Sequence, residues 1–173
     1  MYLASDLKYK FTLKILKYFS LTTVLILCFT SCKKDDDGDS LPSVNNEISI
    51  DGTVYSIGTT GSLESYGENQ DGSFDWDVVL TSSEAYVYLD LNTNSSDGLV
   101  AGTYNFSENR AAFTFVDVYI NITDGDTYSN IDNGTVNIDI SGDTVYITFS
   151  FVNEIDGTDI TIQGGWSGTL TTI

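Results

Sequence analysis

The chain has 173 residues, with 25 acidic side chains, 7 basic side chains, a formal net charge of −18 and no histidine. This charge excludes a nucleic-acid partner, because binding to phosphates requires clustered Lys and Arg. The absence of histidine excludes Ser-His-Asp triads and His-ligated zinc or iron sites. The length after any targeting segment suits one domain with its own core.

The first 31 residues have the pattern of a secretory signal peptide. Four lysines between Lys8 and Lys17 precede an apolar run from Phe19 to Phe29, which contains only three hydroxyl residues. A membrane-spanning helix needs about 20 apolar residues, so this run is too short to span a bilayer. A basic flank, a short apolar core and small residues before a break predict a signal that is removed.

The residues that follow indicate a lipid anchor. Thr30-Ser31-Cys32 resembles a bacterial lipobox, although Phe29 stands where that family usually has an aliphatic residue. The resemblance implies cleavage before Cys32, lipidation of Cys32 and attachment to a membrane through the lipid. Two or three acyl chains hold a protein firmly on a membrane. The alternative is an ordinary secreted protein cut near Ser31.

The stretch after Cys32 is similar to the export signal of Bacteroidetes-type surface lipoproteins. Its residues are Lys33, Lys34, Asp35, Asp36 and Asp37. The resemblance implies a protein anchored in the outer membrane and exposed at the cell surface, or otherwise facing the periplasm. The alternative is a solvated acidic tether. We expect a flexible tether over residues 32–45 and a folded domain over residues 46–173.

Alternating apolar and polar residues dominate the predicted domain. Asp51-Gly52 predicts the turn of a first hairpin, and Phe74–Thr81 and Glu84–Asn92 read as half-buried strands. Ala112–Thr123 reads as a long strand with Val116, Val118, Ile120 and Ile122 on one face and Phe113, Phe115 and Tyr119 on the other. Trp76 is expected in the core.

The last forty residues predict further hairpins. Thr135–Ile140 and Thr144–Asn153 flank Ser141-Gly142-Asp143, and Asp156-Gly157 predicts the next turn. Gly164-Gly165 is expected to break or bulge the chain before a last strand that contains Trp166, a second expected core residue. This segment resembles the C-terminal hairpins of small all-β lipoprotein domains, some of them calycin-like.

These patterns predict an all-β domain, an antiparallel meander of about eight to ten strands. The architecture is either a lipocalin-like or calycin-like barrel, which the resemblance favours, or a β-sandwich.

Three tyrosines are the candidate ligand-binding residues. Tyr86, Tyr88 and Tyr119 alternate with apolar positions and share strand faces with Asp and Asn side chains. Aromatic rings beside carboxylates and amides suit glycans, which stack on rings and form hydrogen bonds at their edges. The alternative is plain sheet surface, because tyrosine is a common strand residue.

Two further sets of charged residues could bind ions. Asp124 and Asp126 lie in an Asp-Gly-Asp loop that could supply oxygen ligands to Ca²⁺, although turns favour the same residues. We expect no other cofactor. Arg110 is the only basic residue after Lys34; it could bind an anionic ligand or pair with a neighbouring acid such as Glu108.

The predicted function is a non-catalytic binding module for a glycan or another small ligand, displayed at the outer-membrane surface. The alternative is a structural or interaction subunit beside other envelope proteins, without a small-molecule site. An enzyme is the least favoured hypothesis, because no spacing singles out the pair of carboxylates that a glycosidase requires.

Overall fold

The computed structural model describes residues 44–129, 131 and 133–173. The predicted signal peptide, Cys32 and the export signal Lys33–Asp37 lie outside the described residues. Within the described part of the chain, the regular structure is all β, and no helix is long and apolar enough to cross a membrane.

Twelve strands form one sheet among the described residues. The strands are β1 Glu47–Ile50, β2 Thr53–Ser56, β3 Thr60–Glu68, β4 Phe74–Thr81, β5 Ala85–Thr93, β6 Gly102–Phe106, β7 Thr114–Ile122, β8 Thr127–Tyr128, β9 Gly134–Ser141, β10 Thr144–Ile155, β11 Thr158–Gly168 and β12 Leu170–Thr172.

The sheet is curled and barrel-like. Its order is β12-β3-β4-β5-β7-β6-β9-β10-β11-β1-β2, with β8 against β7. β12 follows β11 after a single residue, yet β11 pairs with β10 while β12 pairs with β3. This continuous segment therefore joins strands from opposite ends of the order, which requires the sheet to curl back on itself.

The predicted all-β fold is confirmed, and its barrel-like form is favoured over a sandwich of two sheets. Two details differ from the expected meander. The strands number twelve rather than eight to ten, and the pairs β3–β12 and β6–β7 are parallel. The two-residue strand β8 contributes to the difference in number.

The core lies on the inner face of the curled sheet. Period-two alternation sends every second residue inward, so apolar side chains from nearly all strands meet there. Trp76 and Trp166 are both buried, as predicted. The largest fully buried side chains include Trp166, Tyr104, Phe115, Phe151, Leu80, Leu89, Ile120 and Ile147.

One face assignment was wrong. Phe115 is fully buried with Val118, Ile120 and Ile122, although alternation placed it on the opposite face. The register of β5 against β7 shifts between Asp90 and Leu91, where Asp117 and Phe115 are their partners. Val116 is the extra residue of this β-bulge, which reverses the alternation for the residues before it.

The expected break at Gly164-Gly165 was also wrong, because β11 runs through both glycines. A β-carbon on Gly164 would collide with the Phe149 ring, and one on Gly165 would press on Val44 at 3.0 Å. The two glycines therefore allow close packing on the two faces of a continuous strand.

The turn predictions based on glycine were correct. Asp51 and Gly52 join β1 to β2 with φ values of 46° and 84°, and Asp156 and Gly157 join β10 to β11 with 52° and 76°. Both positions of such two-residue turns need positive φ, which Asp tolerates and Gly adopts freely.

Candidate functional site

The three predicted tyrosines come together on the outer face of the sheet. Tyr88 on β5 lies directly opposite Tyr119 on β7, and the rings of Tyr86 and Tyr119 meet edge to face at 6.1 Å between centroids. Tyr86 is 37% exposed and Tyr119 is 39% exposed. The sheet thus presents a small aromatic surface to solvent.

A row of four carboxylates runs beside these tyrosines. Glu64 pairs with Asp77, Asp77 pairs with Asp90, and Asp90 pairs with Asp117, so one acid stands on each of the neighbouring strands β3, β4, β5 and β7. Directly opposed residues share a face with β-carbons about 5 Å apart, and like charges in such positions are destabilising. We call Glu64, Asp77, Asp90 and Asp117 the acidic row.

Arg110 reaches this face from the connection between β6 and β7. Its Nη1 and Nη2 donate to the two oxygens of Asp90 at 2.8 and 2.7 Å, and Nη1 also lies 2.8 Å from Asp75 Oδ2. The expected pairing of Arg110 with an acid is correct, but the partners lie across the sheet and do not include Glu108. The connection can place Arg110 there because Phe113 N–H donates to the Asn92 carbonyl at 2.7 Å.

Asp75, Asp77 and Asp90 converge around a cavity. One oxygen from each carboxylate lies within 4.8 Å of the others. The cavity has a volume of about 200 Å³ and is lined by Tyr66, Asp75, Asp77, Tyr88, Asp90 and Arg110. A larger cavity, about 300 Å³, lies on another part of the sheet and is lined mainly by uncharged residues such as Ser49, Thr148 and Gln163.

Burial raises the pKa values of two carboxylates of the cavity, Asp77 and Asp90. Loss of hydration raises the pKa of Asp77 from 3.8 to about 6, with the nearby charges of Asp75 and Glu64 acting in the same direction. The Tyr88 hydroxyl opposes this shift by donating to Asp77. Burial likewise raises the pKa of Asp90 to about 6, although Arg110 opposes the rise. Burial and the Asp77 charge raise the pKa of Tyr88 above its usual value.

Two buried polar atoms at this site have no hydrogen-bond partner. They are Oδ1 of Asp75, an acceptor, and Nδ2 of Asn92, a donor, and the two residues are directly opposite each other on β4 and β5. Arg110 engages the other carboxylate oxygen of Asp75, and the amide oxygen of Asn92 accepts from Arg110 and Asn69. A hydroxyl group or a water molecule both donates and accepts, and could therefore satisfy both atoms.

Asp124 and Asp126 lie apart from this cluster. Both are exposed in the turn after β7, where Gly125 N–H donates to the Ile122 carbonyl at 3.0 Å and Asp124 has a φ of 58°. The described carboxylates that converge closely enough to share a cation are Asp75, Asp77 and Asp90. A calcium site at Asp124 and Asp126 stays a prediction, and turn geometry alone explains those residues.

Sequence reasoning missed Glu64, Tyr66, Asp75, Asp77 and Asp90. Alternation already placed Asp75 and Asp77 on the polar face of one strand, and Asp90 on the same face as Tyr86 and Tyr88. Their convergence depends on the registers of several strand pairs at once, which the hydrophobic pattern and the turns set together and no single stretch of sequence shows. Lipidation at Cys32 and export through Lys33–Asp37 lie outside the described residues and stay predictions.

Comparisons with known proteins give no family for this chain. No protein-family model matches it, and neither the curated proteins nor the solved structures contain a match.

Proposed function

We propose that this protein is a non-catalytic binding module that holds a glycan on the outer face of β3, β4, β5 and β7. The observation that supports this function most directly is the joining of Tyr86, Tyr88 and Tyr119 into one exposed aromatic surface beside the acidic row. Sugar rings stack on aromatic faces, and their hydroxyls form hydrogen bonds with carboxylates and amides.

The hydrogen-bonding groups at the edge of this surface suit a polyhydroxylated ligand. Asp77 contributes a carboxylate and Tyr88 a hydroxyl, and both residues line the adjacent cavity. Small-molecule sites commonly combine aromatic walls with a few polar groups that fix orientation. The adjacent cavity of about 200 Å³ would accept one sugar ring or one substituent of a longer chain.

The geometry favours binding over catalysis. A glycosidase needs two carboxyl groups that each present an oxygen to the substrate, one as an acid and one as a nucleophile or base. Here Arg110 engages both oxygens of Asp90 and one oxygen of Asp75. Asp77 is the one member of the converging group without an arginine contact, so the group holds no second carboxylate of that kind to complete the pair.

The cellular setting in this proposal follows from the first 45 residues. A signal peptide over 1–31, a lipidated Cys32 and the export signal Lys33–Asp37 would anchor the domain in the outer membrane, exposed at the cell surface or otherwise facing the periplasm. Replacement of Cys32 by Ala should abolish incorporation of a labelled fatty acid. Retention of the label in that variant would contradict the anchor.

A glycan array with the purified protein tests the binding function. We expect binding to a subset of glycans, reduced about tenfold or more by Tyr86→Ala combined with Tyr88→Ala, since each stacked ring contributes on the order of 1 kcal/mol. Tyr146→Ala is the matched control, because Tyr146 is a half-buried tyrosine on β10, away from this face. Binding to no glycan, or equal loss in the control, would contradict the proposal.

A further inference from the structure

The acidic row contains more negative charge than the described residues neutralise. Arg110 is the only Lys or Arg between residues 44 and 173, and its guanidinium is committed to Asp90 and Asp75. Asp77, 8% exposed, makes no ion pair among the described residues and feels the Arg110 charge only as a minor influence on its pKa. Glu64 and Asp117 stand at the two ends of the same row. A buried carboxylate without a counter-charge is costly, and a ligand could supply that charge.

A second observation concerns Asp75, which lines the same cavity. Asp75 is 9% exposed and lines the cavity, and its Oδ1 is buried without a hydrogen-bond partner. Arg110 satisfies only Oδ2 of this carboxylate, at 2.8 Å. Within the described part of the chain, Asp75 Oδ1 and the Asp77 carboxylate are therefore the acceptors at this cavity that Arg110 does not contact.

The walls of the cavity also suit a positive group. Tyr66 and Tyr88 line it together with the carboxylates, and aromatic faces attract cations when the cation is partly desolvated. Pockets for drug-sized ligands have volumes of about 300–1,000 Å³, so a cavity of about 200 Å³ suits one charged head group.

We infer that the bound glycan carries a positively charged amino group, which enters the cavity between Asp75 and Asp77 while a neighbouring ring stacks on Tyr86, Tyr88 or Tyr119. This inference rests on the proposed function and deepens it, because it selects amino sugars over neutral or acidic ones. An ammonium has three donors and no acceptor, which complements the carboxylate oxygens of Asp75 and Asp77 that line the cavity. Arg110 is the permanent counter-ion of Asp90, and the ligand supplies the second positive charge.

Two matched oligosaccharides separate the contribution of the ligand's amino charge to binding from that of its sugar rings. Titration calorimetry would compare a glucosamine tetramer with an N-acetylglucosamine tetramer, in low salt and at about pH 6.5, where an amine is largely charged and a carboxyl with a pKa near 6 is largely ionised. We expect the glucosamine tetramer to bind at least about tenfold more tightly, and added salt to reduce this preference.

Single-residue variants locate the charge. Asp77→Asn keeps the shape of the side chain and an acceptor for Tyr88 but removes the charge, so the preference for glucosamine should fall about tenfold, to near equality of the two tetramers. The control is Asp139→Asn, which removes an exposed carboxylate opposite Tyr146 on the distant strands β9 and β10 and should change nothing.

The outcomes distinguish the inference from the function beneath it. Equal binding of the two tetramers, or a preference that survives in Asp77→Asn, would overturn the amino-sugar inference and leave glycan binding intact. Glucosamine binding that is lost on addition of a calcium chelator would also overturn it, because a metal would then supply the charge. Binding of a lysine-rich peptide in place of any sugar would overturn both proposals.

Discussion

The outer surface of this sheet has two regions that share one core but differ in chemistry. On β9, β10 and β11 the middle row of opposed residues, Thr135, Ser150 and Gln163, is neutral and polar, and we call this the neutral region. Its opposed carboxylates, Glu154 and Asp159, are exposed beside the β10–β11 turn. On β3, β4, β5 and β7 the corresponding row is acidic from end to end. Both regions cover the same apolar interior, so the fold alone does not require the acids.

The neutral region shows that uncharged polar side chains are enough to keep an outer sheet face solvated. Hydroxyl and amide groups can pair across strands without repulsion, whereas opposed carboxylates repel each other. Departures from locally favourable choices in a folded chain are expected at functional sites. The difference between the regions is therefore the main reason to place the binding site on the acidic one.

Among the substitutions that compare the two regions, removal of Arg110 should change the free energy of unfolding most. Arg110→Gln leaves Asp75 and Asp90 without their shared counter-charge and should reduce the free energy of unfolding by about 2–4 kcal/mol at pH 7.5, below the range for fully buried pairs because the arginine side chain is 36% exposed. Urea unfolding measures this change in the free energy of unfolding. Adding Asp90→Asn should restore part of the loss, and a change below about 0.5 kcal/mol would show that the pairs contribute little.

The next largest loss of stability is expected at Gly164, which packs against Phe149 beneath the neutral region. Gly164→Ala would force the Phe149 ring to move, and we expect a loss of about 1–3 kcal/mol in thermal or urea unfolding. Gly165→Ala on the same strand faces outward onto Val44 and should cost less than about 1 kcal/mol. Equal effects of the two substitutions would contradict the explanation that Gly164 is required for packing.

Removal of a carboxylate from the acidic row should stabilise the protein. Burial raises the pKa of Asp77 to about 6, so the folded chain holds this proton to a higher pH than the unfolded chain does. The associated stability is complete below about pH 4 and is lost as the pH rises through about 6. Asp77→Asn should therefore raise the free energy of unfolding at pH 7.5 by about 1–2 kcal/mol.

The same variant should weaken the pH dependence. Urea unfolding between pH 5 and 7.5 should show wild type losing more stability than Asp77→Asn, whereas Asp139→Asn should follow wild type. The charged and titratable groups that face Asp77 are Glu64, Tyr66, Asp75, Tyr88, Asp90 and Arg110. Parallel curves for wild type and Asp77→Asn would contradict the direction of the pKa shift.

The exposed end of the row should give the smallest effect. Asp117 lies opposite Asp90 but is open to solvent, so Asp117→Asn should raise the free energy of unfolding by no more than about 0.5 kcal/mol. Salt should reduce the difference from wild type, because exposed charges are screened. A gain as large as that of Asp77→Asn would show that repulsion, rather than burial, dominates the row.

The sequence predicted much of the fold, for a simple physical reason. Alternation and Asp-Gly turns are local features, and they located most strands and the hairpin at Asp51-Gly52. Alternation also placed Tyr86 and Tyr88 on one face. Alternation failed at Phe115, where a bulge at Val116 changes the period. The Gly164-Gly165 pair wrongly predicted a break, because Gly164 serves packing.

The candidate site could be predicted only in part, because it depends on contacts between distant segments. Glu64, Asp77, Asp90 and Asp117 form a row only when the registers of three strand pairs are known. The position of Arg110 depends on a connection that crosses from β6 to the parallel strand β7. Neither property follows from local composition or period.

The most direct test maps the binding face by nuclear magnetic resonance. Backbone amide shifts of the purified protein would be followed during titration with the glucosamine tetramer. The proposals predict changes on β3, β4, β5 and β7, centred on Asp77, Tyr88 and Tyr119, and unchanged amides at Thr135, Ser150 and Gln163. Changes confined to β9, β10 and β11, or no change at saturating tetramer, would contradict a binding site on the acidic region.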